Sequence, residues 1–186
     1  MICNETKIKG AYIVDIKPIE DERGFFARAY CKKELADYGI DTNIFQTNIS
    51  YNKYKGTLRG MHMQLAPYGE KKLVRCTRGA IYDVIVDLRS DSETFKQWLG
   101  VELSATNYRM LLVPEGCAHG YFTLEDDSDV TYQVTQYYTG SHETGVRWND
   151  PAFNIEWPGE PKIISERDRS HADFSIHSAY FEIALD

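Results

Sequence analysis

The chain has 186 residues, 42% of them hydrophobic and 26% charged, which is typical of a single globular domain with a full core, here residues 1–186. Its formal net charge of −7 provides no overall positive field and argues against a nucleic-acid-binding protein. No apolar run approaches the roughly 18 residues of a membrane span, and the first residues, "MICNETKIKG", lack the apolar core of a signal peptide. We therefore expect a cytoplasmic protein whose cysteines stay reduced.

The predicted elements are one short helix followed by many strands. The segment "CKKELADYGI" resembles a helix that closes at Gly39. "KKLVRCTRGAIYDVIVDLR" holds two β-rich runs around Gly79, which predicts a hairpin. "RMLLVPEGCAHGYFTL" predicts a strand, a turn at Pro114 and a strand, and "DVTYQVTQYYTG" predicts a strand that breaks at Gly140. Together they predict an all-β sandwich or barrel, with loops and a short helix in the last 35 or so residues.

His62 is one of two histidines in strand-like segments. In a regular strand the side chains of Arg59 and His62 would point to opposite faces, but Gly60 permits a β-bulge that brings both to one side. The same alternation puts Tyr132 and Tyr138 on one face of their strand. Taken singly, such residues are most often core packing. Three further histidines lie in polar stretches and are expected to be exposed: His142, His171 and His177.

Two segments, "GTLRGMHMQ" and "PEGCAHG", resemble the paired motifs of the cupin superfamily, whose fold is a β jelly roll. Metal-binding cupins have two histidines one residue apart in the first motif, where this chain has His62 and Gln64. A metal site of His62, Gln64, Glu70 and His119 is conceivable, although glutamine is a poor ligand for metals that prefer imidazole. A metal-dependent cupin isomerase or dioxygenase therefore stays an alternative, as does a non-catalytic sugar-binding cupin.

A closer resemblance extends over nearly the whole chain. The segments that carry it occur in this order: "DERGFF", "FQTNIS", "TLRGMHMQ", "KKLVRCTRGAIYDVIVDLR", "TFKQWLGVELSATN", "VPEGCAHGY", "YQVTQYYTGSHE", "VRWNDPAFNIEWP" and "SERD". With this set in this order, the chain resembles the dTDP-4-dehydrorhamnose 3,5-epimerase family. The resemblance implies a cupin-type jelly roll that forms a homodimer, needs no metal or other cofactor, and acts on a nucleoside-diphosphate 4-keto-6-deoxy sugar in deoxysugar biosynthesis.

The resemblance also implies catalytic roles for residues of this chain. The C4 ketone of the sugar acidifies the hydrogens on C3 and C5, so a base can form an enolate and an acid can return a proton to the opposite face. The base falls on His62, its carboxylate partner on Asp168, and the acid on Tyr132. Lys72 would lie near the enolate oxygen, where a fixed cation stabilises the developing charge.

Eight further positions match substrate-binding positions of the family. Arg59 would face the anionic part of the substrate, and Met61 and Met63 would form apolar walls that exclude water. In relatives the N-terminal segment crosses to the partner subunit, so Arg23 and Phe26 would serve the neighbour's site. The complete substrate-binding set is Arg59, His119, Arg23, Phe26, Gln46, Asn48, Tyr138 and Arg28.

Arg28 departs from the family pattern, which commonly has a glutamate at this position near the nucleobase. The reversed charge leaves the nucleotide open between dTDP, CDP and GDP. Arg167 replaces the usual lysine before the aspartate, which is a mild change in charge terms. The sequence also leaves open whether C3, C5 or both centres are inverted, because the same base and acid serve each reaction.

Overall fold

The computed structural model describes residues 1–175, which are dominated by short antiparallel strands. The strands in chain order are β1 (Ile2–Glu5), β2 (Tyr12–Asp15), β3 (Ile19–Asp21), β4 (Gly24–Phe26), β5 (Gln46–Asn52), β6 (Thr57–Gln64), β7 (Lys72–Arg78), β8 (Ala80–Asp87), β9 (Trp98–Ser104), β10 (Met110–Val113), β11 (Cys117–Thr123), β12 (Ser128–Val134), β13 (Glu143–Gly145) and β14 (Ile163–Ile164). The α-helices are α1 (Lys32–Ala36) and α2 (Glu166–Arg169), and a 3-10 helix covers Gly140–His142.

Strand pairing divides these elements between two main sheets. The first sheet has the order β1-β2-β10-β7-β12-β5, and the second has the order β13-β6-β11-β8-β9, with β14 beside β6 in parallel. β3 and β4 form a separate two-stranded hairpin. Inward-facing side chains of both sheets share one fully buried core, which includes Val74, Ile81, Ile85, Leu111 and Val130. The prediction of an all-β jelly roll is confirmed.

The chain changes sheet at Gly79, so the predicted hairpin there is wrong. β7 belongs to the first sheet and pairs with β10 and β12, whereas β8 belongs to the second and pairs with β9 and β11. Gly79 has a φ of +71°, and a Cβ there would lie 3.1 Å from the Cα of Ser128. The predicted turn at Pro114 likewise carries the chain from β10 in the first sheet to β11 in the second. Turn chemistry marks where a strand ends but does not specify the partner of the next strand.

The predicted helix is confirmed as α1, and Gly39 follows its end with a φ of +74°. The "SERD" segment forms α2, with Ser165 as its N-cap, in agreement with the short helix expected in the C-terminal part. The strand predicted to break at Gly140 ends at Val134. Within residues 1–175, no helix has the length and apolarity that a membrane crossing requires. The single domain over residues 1–186 stays a prediction.

Candidate active site

A cavity of about 490 Å³ opens between the two sheets, and half of the predicted site residues line it. β6 and β11 of the second sheet contribute to one wall, β7 and β12 of the first sheet contribute to the other, and α2 closes one side. The predicted residues in the lining are Arg59, His62, Lys72, His119, Tyr132 and Asp168. All four predicted catalytic side chains therefore meet in one place, although they come from distant parts of the sequence.

His62 is held by Asp168. The imidazole Nε2 lies 2.7 Å from Oδ1 of Asp168, and Oδ2 accepts a hydrogen bond from the backbone N–H of Gly60 at 3.1 Å. Burial raises the pKa of Asp168, but the hydrogen bond and charge of His62, together with hydrogen bonds from Gly60 and Ser165, keep the pKa below its usual value. An ionised carboxylate in this position can fix the tautomer of the ring and stabilise the imidazolium.

The predicted β-bulge in β6 is confirmed. His62 pairs with His119 and Arg59 pairs with Tyr121, so β6 uses three steps where β11 uses two. Gly60 lies within the bulge at a φ of +125°, and a Cβ there would be 2.5 Å from the Cα of the glycine that faces it on β11. Because of this extra residue, Arg59 and His62 both line the cavity.

Two basic side chains of the second sheet have fixed orientations. Nε of Arg59 donates to Oδ1 of Asn52 at 2.8 Å. Nε2 of His119 lies 2.8 Å from Oδ1 of Asp83, while the other carboxylate oxygen of Asp83 has no hydrogen-bond partner within residues 1–175. Asn52 and Asp83 were not among the residues predicted from the sequence. A signal existed for Asp83, because it is a carboxylate in the otherwise apolar run "AIYDVIV".

Lys72 and Tyr132 are neighbours on the inner face of the first sheet. Lys72 pairs with Val134, two residues after Tyr132, so the two side chains are diagonal neighbours across β7 and β12. Nζ of Lys72 lies 3.3 Å from Oε1 of Glu70. Burial raises the pKa of Tyr132, the Glu70 carboxylate raises it further, and Arg59 acts in the opposite direction. The phenol is therefore kept protonated in neutral solution.

The four side chains considered as metal ligands contact other protein groups. His62 contacts Asp168, His119 contacts Asp83, and Glu70 contacts Lys72. The amide of Gln64 donates to the carbonyl of Tyr68 at 3.1 Å and accepts from the N–H of Thr139 at 2.6 Å. Among the residues that the structure describes, no three histidine, cysteine, aspartate or glutamate side chains are grouped to hold a metal ion. The geometry gives no support to the metal-dependent alternative.

Three predicted substrate-binding residues lie next to the cavity but are not part of its lining. Gln46 and Asn48 are half-buried on β5, and Oε1 of Gln46 accepts the backbone N–H of Tyr138 at 2.8 Å. The hydroxyl of Tyr138 donates to Oε2 of Glu143 at 2.7 Å, and Nη2 of Arg167 lies 2.8 Å from the same oxygen. Glu143 was missed, because one acidic residue in a polar stretch gives no signal in the sequence.

Three other predicted residues lie away from this cavity, on or near the β3–β4 hairpin. Arg23 is paired with Asp21, and Phe26 is 63% exposed. Nε of Arg28 lies 3.7 Å from Oε1 of Glu34. One chain alone does not bring these side chains to the cavity, and their contribution to a partner's site stays a prediction.

Two expectations about neighbouring residues were wrong. Met61 and Met63 do not line the cavity but pack in a second core on the other side of the second sheet, because the bulge directs Arg59 and His62 inward and leaves the methionines outward. His142 and His171 are half-buried rather than exposed. The remaining histidine of that group, His177, lies outside the described residues.

Comparisons with known proteins agree in fold and length. A family model described as dTDP-4-dehydrorhamnose 3,5-epimerase matches residues 5–175. The chain is 40% identical over 178 residues to the dTDP-4-dehydrorhamnose 3,5-epimerase of Shigella flexneri, covering 95% of this chain and 97% of that protein. It is 44% identical over 159 residues to the dTDP-4-dehydrorhamnose 3,5-epimerase of Salmonella typhimurium, covering 85% of this chain and 86% of that protein.

Solved structures extend the similarity to three dimensions. A crystal structure of dTDP-4-dehydrorhamnose 3,5-epimerase from Bacillus anthracis, with TDP and PPi bound, superposes with a TM-score of 0.90 at 45% identity, covering 93% of this chain and 99% of that chain. The range matched by the family model contains every residue that lines the cavity.

Proposed function

The chain belongs to the dTDP-4-dehydrorhamnose 3,5-epimerase family, and from this premise we propose how its cavity carries out the reaction. It is a nucleotide-sugar epimerase of deoxysugar biosynthesis, and its substrate is a 4-keto-6-deoxyhexose linked to dTDP. The observation that carries the proposal is the placement of His62, paired with Asp168, and Tyr132 on facing sheets of one cavity.

His62 acts as the base. Its Nε2 is occupied by Asp168, so Nδ1 is the nitrogen that takes the proton from C3 or C5 of the sugar. The electron pair of the broken C–H bond moves into an enolate on the C4 oxygen. Asp168 orients the ring and stabilises the imidazolium that forms, as the third member of a protease triad does.

Tyr132 acts as the acid on the opposite face of the sugar. A phenol normally titrates near pH ~10, so it holds a proton in neutral solution. When the enolate collapses, the phenol donates this proton to the carbon from the side facing away from His62, and the centre is inverted. Lys72 stabilises the charge on the enolate oxygen, because a fixed cation acts where charge appears in the transition state.

The remaining polar groups bind the nucleotide part. Arg59 and His119 line the cavity and suit the diphosphate, which arginine binds through paired hydrogen bonds. Gln46, Asn48 and Tyr138 extend this polar surface towards the nucleoside. The TDP bound in the relative from Bacillus anthracis supports dTDP as the nucleotide of this chain, with Arg28 as the departure that the test below examines.

We propose that the chain acts as a homodimer in the cytoplasm. β5 is the edge strand of the first sheet and carries Ile49 and Tyr51, which are 76% and 49% exposed. The β3–β4 hairpin exposes Ile19 and Phe26 to 65% and 63%. An open sheet edge with exposed apolar side chains is typical of an association surface. In the dimer the hairpin would supply Arg23 and Phe26 to the partner's cavity.

The function is tested by proton exchange in heavy water. The protein is incubated with dTDP-, CDP- and GDP-linked 4-keto-6-deoxyhexoses, and the His62→Asn variant serves as the matched control. We expect deuterium to enter the dTDP-linked sugar. Two deuterium atoms would indicate inversion at both C3 and C5, and one would indicate inversion at a single centre. Mass spectrometry counts the deuterium. Exchange no greater than that of His62→Asn with all three sugars would exclude this mechanism, and a preference for CDP or GDP would exclude the dTDP substrate.

A further inference from the structure

We infer that Glu70 is a positioning residue of this epimerase, whose carboxylate holds the Lys72 ammonium at the cavity wall and offsets its charge so that Tyr132 stays a phenol. The inference rests on the proposed function, in which Tyr132 donates a proton and Lys72 faces the enolate. Glu70 takes no direct part in that mechanism and is not among the residues that line the cavity. It is nevertheless a carboxylate that is largely withdrawn from water.

The contact between Glu70 and Lys72 is mostly shielded from solvent. The two side chains are only 12% and 10% exposed, and Oε1 of Glu70 lies 3.3 Å from Nζ of Lys72. Glu70 precedes β7 by two residues and approaches Lys72 from outside the cavity lining. An ammonium in such a place is costly without a partner, because little water remains to solvate it. The carboxylate therefore fixes where the cation stands.

The charges of Glu70 and Lys72 also act on Tyr132. It lies diagonal to Lys72 on the inner face of the first sheet. The titratable side chains that face the cavity or act on the phenol come from five places: Glu70 before β7 and Lys72 at its start, Arg59 and His62 of β6, His119 and Tyr121 of β11, Glu143 of β13, and Arg167 and Asp168 of α2. The neighbouring strand β5, which pairs with β12 in the same sheet, contributes the uncharged Asn48 and Ser50. Lys72 is the cation diagonal to the phenol in the sheet, and Glu70 is the carboxylate that contacts Lys72.

The charge of Glu70 matters for the acid step. The cations Lys72 and Arg59 favour a phenolate, and the imidazolium of His62 adds to them once the first proton has been taken. A phenol that ionised under these charges would have no proton to return to the enolate. Burial raises the pKa of Tyr132 and Glu70 raises it further, against the opposite effect of Arg59. Glu70 therefore favours the protonated phenol of Tyr132, which the acid step requires.

Direct titration of the phenol tests the inference without turnover. Tyrosinate absorbance is followed as the pH rises, and each protein is compared with the same protein carrying Tyr132→Phe, so that the difference isolates Tyr132. Glu70→Gln retains the size of the side chain and removes its charge. We expect the midpoint of Tyr132 ionisation to move to lower pH in Glu70→Gln. The matched control Glu102→Gln, on the exposed side of β9, should leave it unchanged.

Two further measurements complete the test. The alkaline limb of the kcat profile should move to lower pH in Glu70→Gln and not in Glu102→Gln. If Glu70→Gln does not fold, Lys72→Met provides the reciprocal change, and removal of the cation should move the Tyr132 midpoint to higher pH. An unchanged midpoint in the variant that folds would overturn the inference. The titration needs no substrate, so its result does not depend on the deuterium test. Failure of the deuterium test would contradict the proposed function, whereas an unchanged midpoint would contradict the role of Glu70.

Discussion

At the scale of single residues, the cavity is built from pairs in which a carboxylate orients a basic side chain. Asp168 orients His62, Asp83 orients His119 and Glu70 contacts Lys72. Charge-assisted hydrogen bonds are shorter and stronger than neutral ones, so each pair reduces the freedom of a side chain that must meet the substrate in one position. Under the proposed mechanism, these contacts orient the side chains before the substrate arrives, which reduces the reorganisation needed during the reaction.

The first prediction separates the two proton transfers. In Tyr132→Phe the acid is absent, but the base and its carboxylate remain. We expect deuterium to enter the substrate from His62 while inversion falls by about 10²-fold or more, the usual contribution of a positioned acid. Mass spectrometry measures exchange, and chromatography of the product measures inversion. Full-rate inversion by Tyr132→Phe would show that another group is the acid.

The second prediction concerns Asp168 and pH. Its folded pKa is below the value of about 3.9 found in unfolded chains, so the carboxylate stabilises the fold above that pH, and this contribution is lost as the pH falls through the folded pKa. Asp168→Asn should lower the free energy of unfolding near neutral pH by about 1.5–3 kcal/mol, the range for a hydrogen bond to a charged group. Urea denaturation of both proteins in neutral and acidic buffers measures the difference, which should shrink in acid. An equal difference in both buffers would contradict the assignment.

How far the sequence predicts these pairs depends on their separation. The motifs contain His62, His119 and Lys72, but the carboxylate partner of His62 lies 106 residues away and that of His119 lies 36 residues away. Asp168 was found only because "SERD" belongs to a resemblance that covers the whole chain. Asp83 lies within the quoted segment "KKLVRCTRGAIYDVIVDLR", but that segment does not connect it with His119, and only tertiary pairing of β8 with β11 brings the two together.

At the scale of elements, the bulge in β6 determines which side chains face the cavity. Without the extra residue, strict alternation would put Arg59 and His62 on opposite faces of the sheet. Gly60 makes the bulge possible, because its backbone adopts a φ of +125° and lies against the backbone of β11. The segment "TLRGMHMQ" was sufficient to predict this bulge. Arg59 and His62 are three residues apart and would face opposite sides of a regular strand, and the glycine between them permits the extra residue that brings them to one side.

The third prediction follows from that close approach. In Gly60→Ala the new Cβ would lie 2.5 Å from the Cα of Gly120, so β6 and β11 must move apart. We expect the free energy of unfolding to fall by at least about 2 kcal/mol, from backbone strain and overpacking combined. Thermal denaturation and kcat are the measurements. Gly159→Ala is the matched control, because its Cβ meets nothing within 4 Å. Equal behaviour of the two variants would refute the role of Gly60.

Strand positions were predicted better than strand partners. The β-rich runs on both sides of Gly79 are strands, but the chain changes sheet between them. Hydrophobic alternation and turn residues are local properties, whereas the pairing of β7 with β10 and β12 depends on which apolar faces bury each other in the complete fold. A hairpin and a crossing between sheets therefore look the same in a single sequence.

At the scale of the whole molecule, the proposed dimer divides the substrate-binding residues between two chains. Arg23 and Phe26 lie on the β3–β4 hairpin, away from the cavity of their own chain. If the hairpin enters the partner's cavity, the two sites of the dimer are each composed of both chains. In a dimer with twofold symmetry, this exchange is reciprocal.

The fourth prediction tests that exchange with mixed dimers. His62→Asn and Arg23→Ala should each be nearly inactive alone. When they are co-expressed in equal amounts, half of the dimers are mixed, and each mixed dimer regains one intact composite site. About a quarter of the wild-type activity should therefore return if Arg23 serves the neighbour. Sedimentation of the mixture verifies the dimer. No recovery of activity from two inactive variants would mean that Arg23 acts in its own chain, and full activity of Arg23→Ala alone would mean that Arg23 has no role.

The crossing of the chain between sheets at Gly79 also bears on the stereochemistry of the product. The proposed base and acid stand on opposite walls, so their separation is the spacing of the two sheets, which buried side chains such as Val74, Ile85 and Leu111 maintain. A sugar ring held between them presents one face to each wall, and delivery of a proton from the far wall is what distinguishes inversion from simple exchange. Under the proposed mechanism, we therefore expect a substitution deep between the sheets to change the ratio of inversion to exchange without touching the cavity.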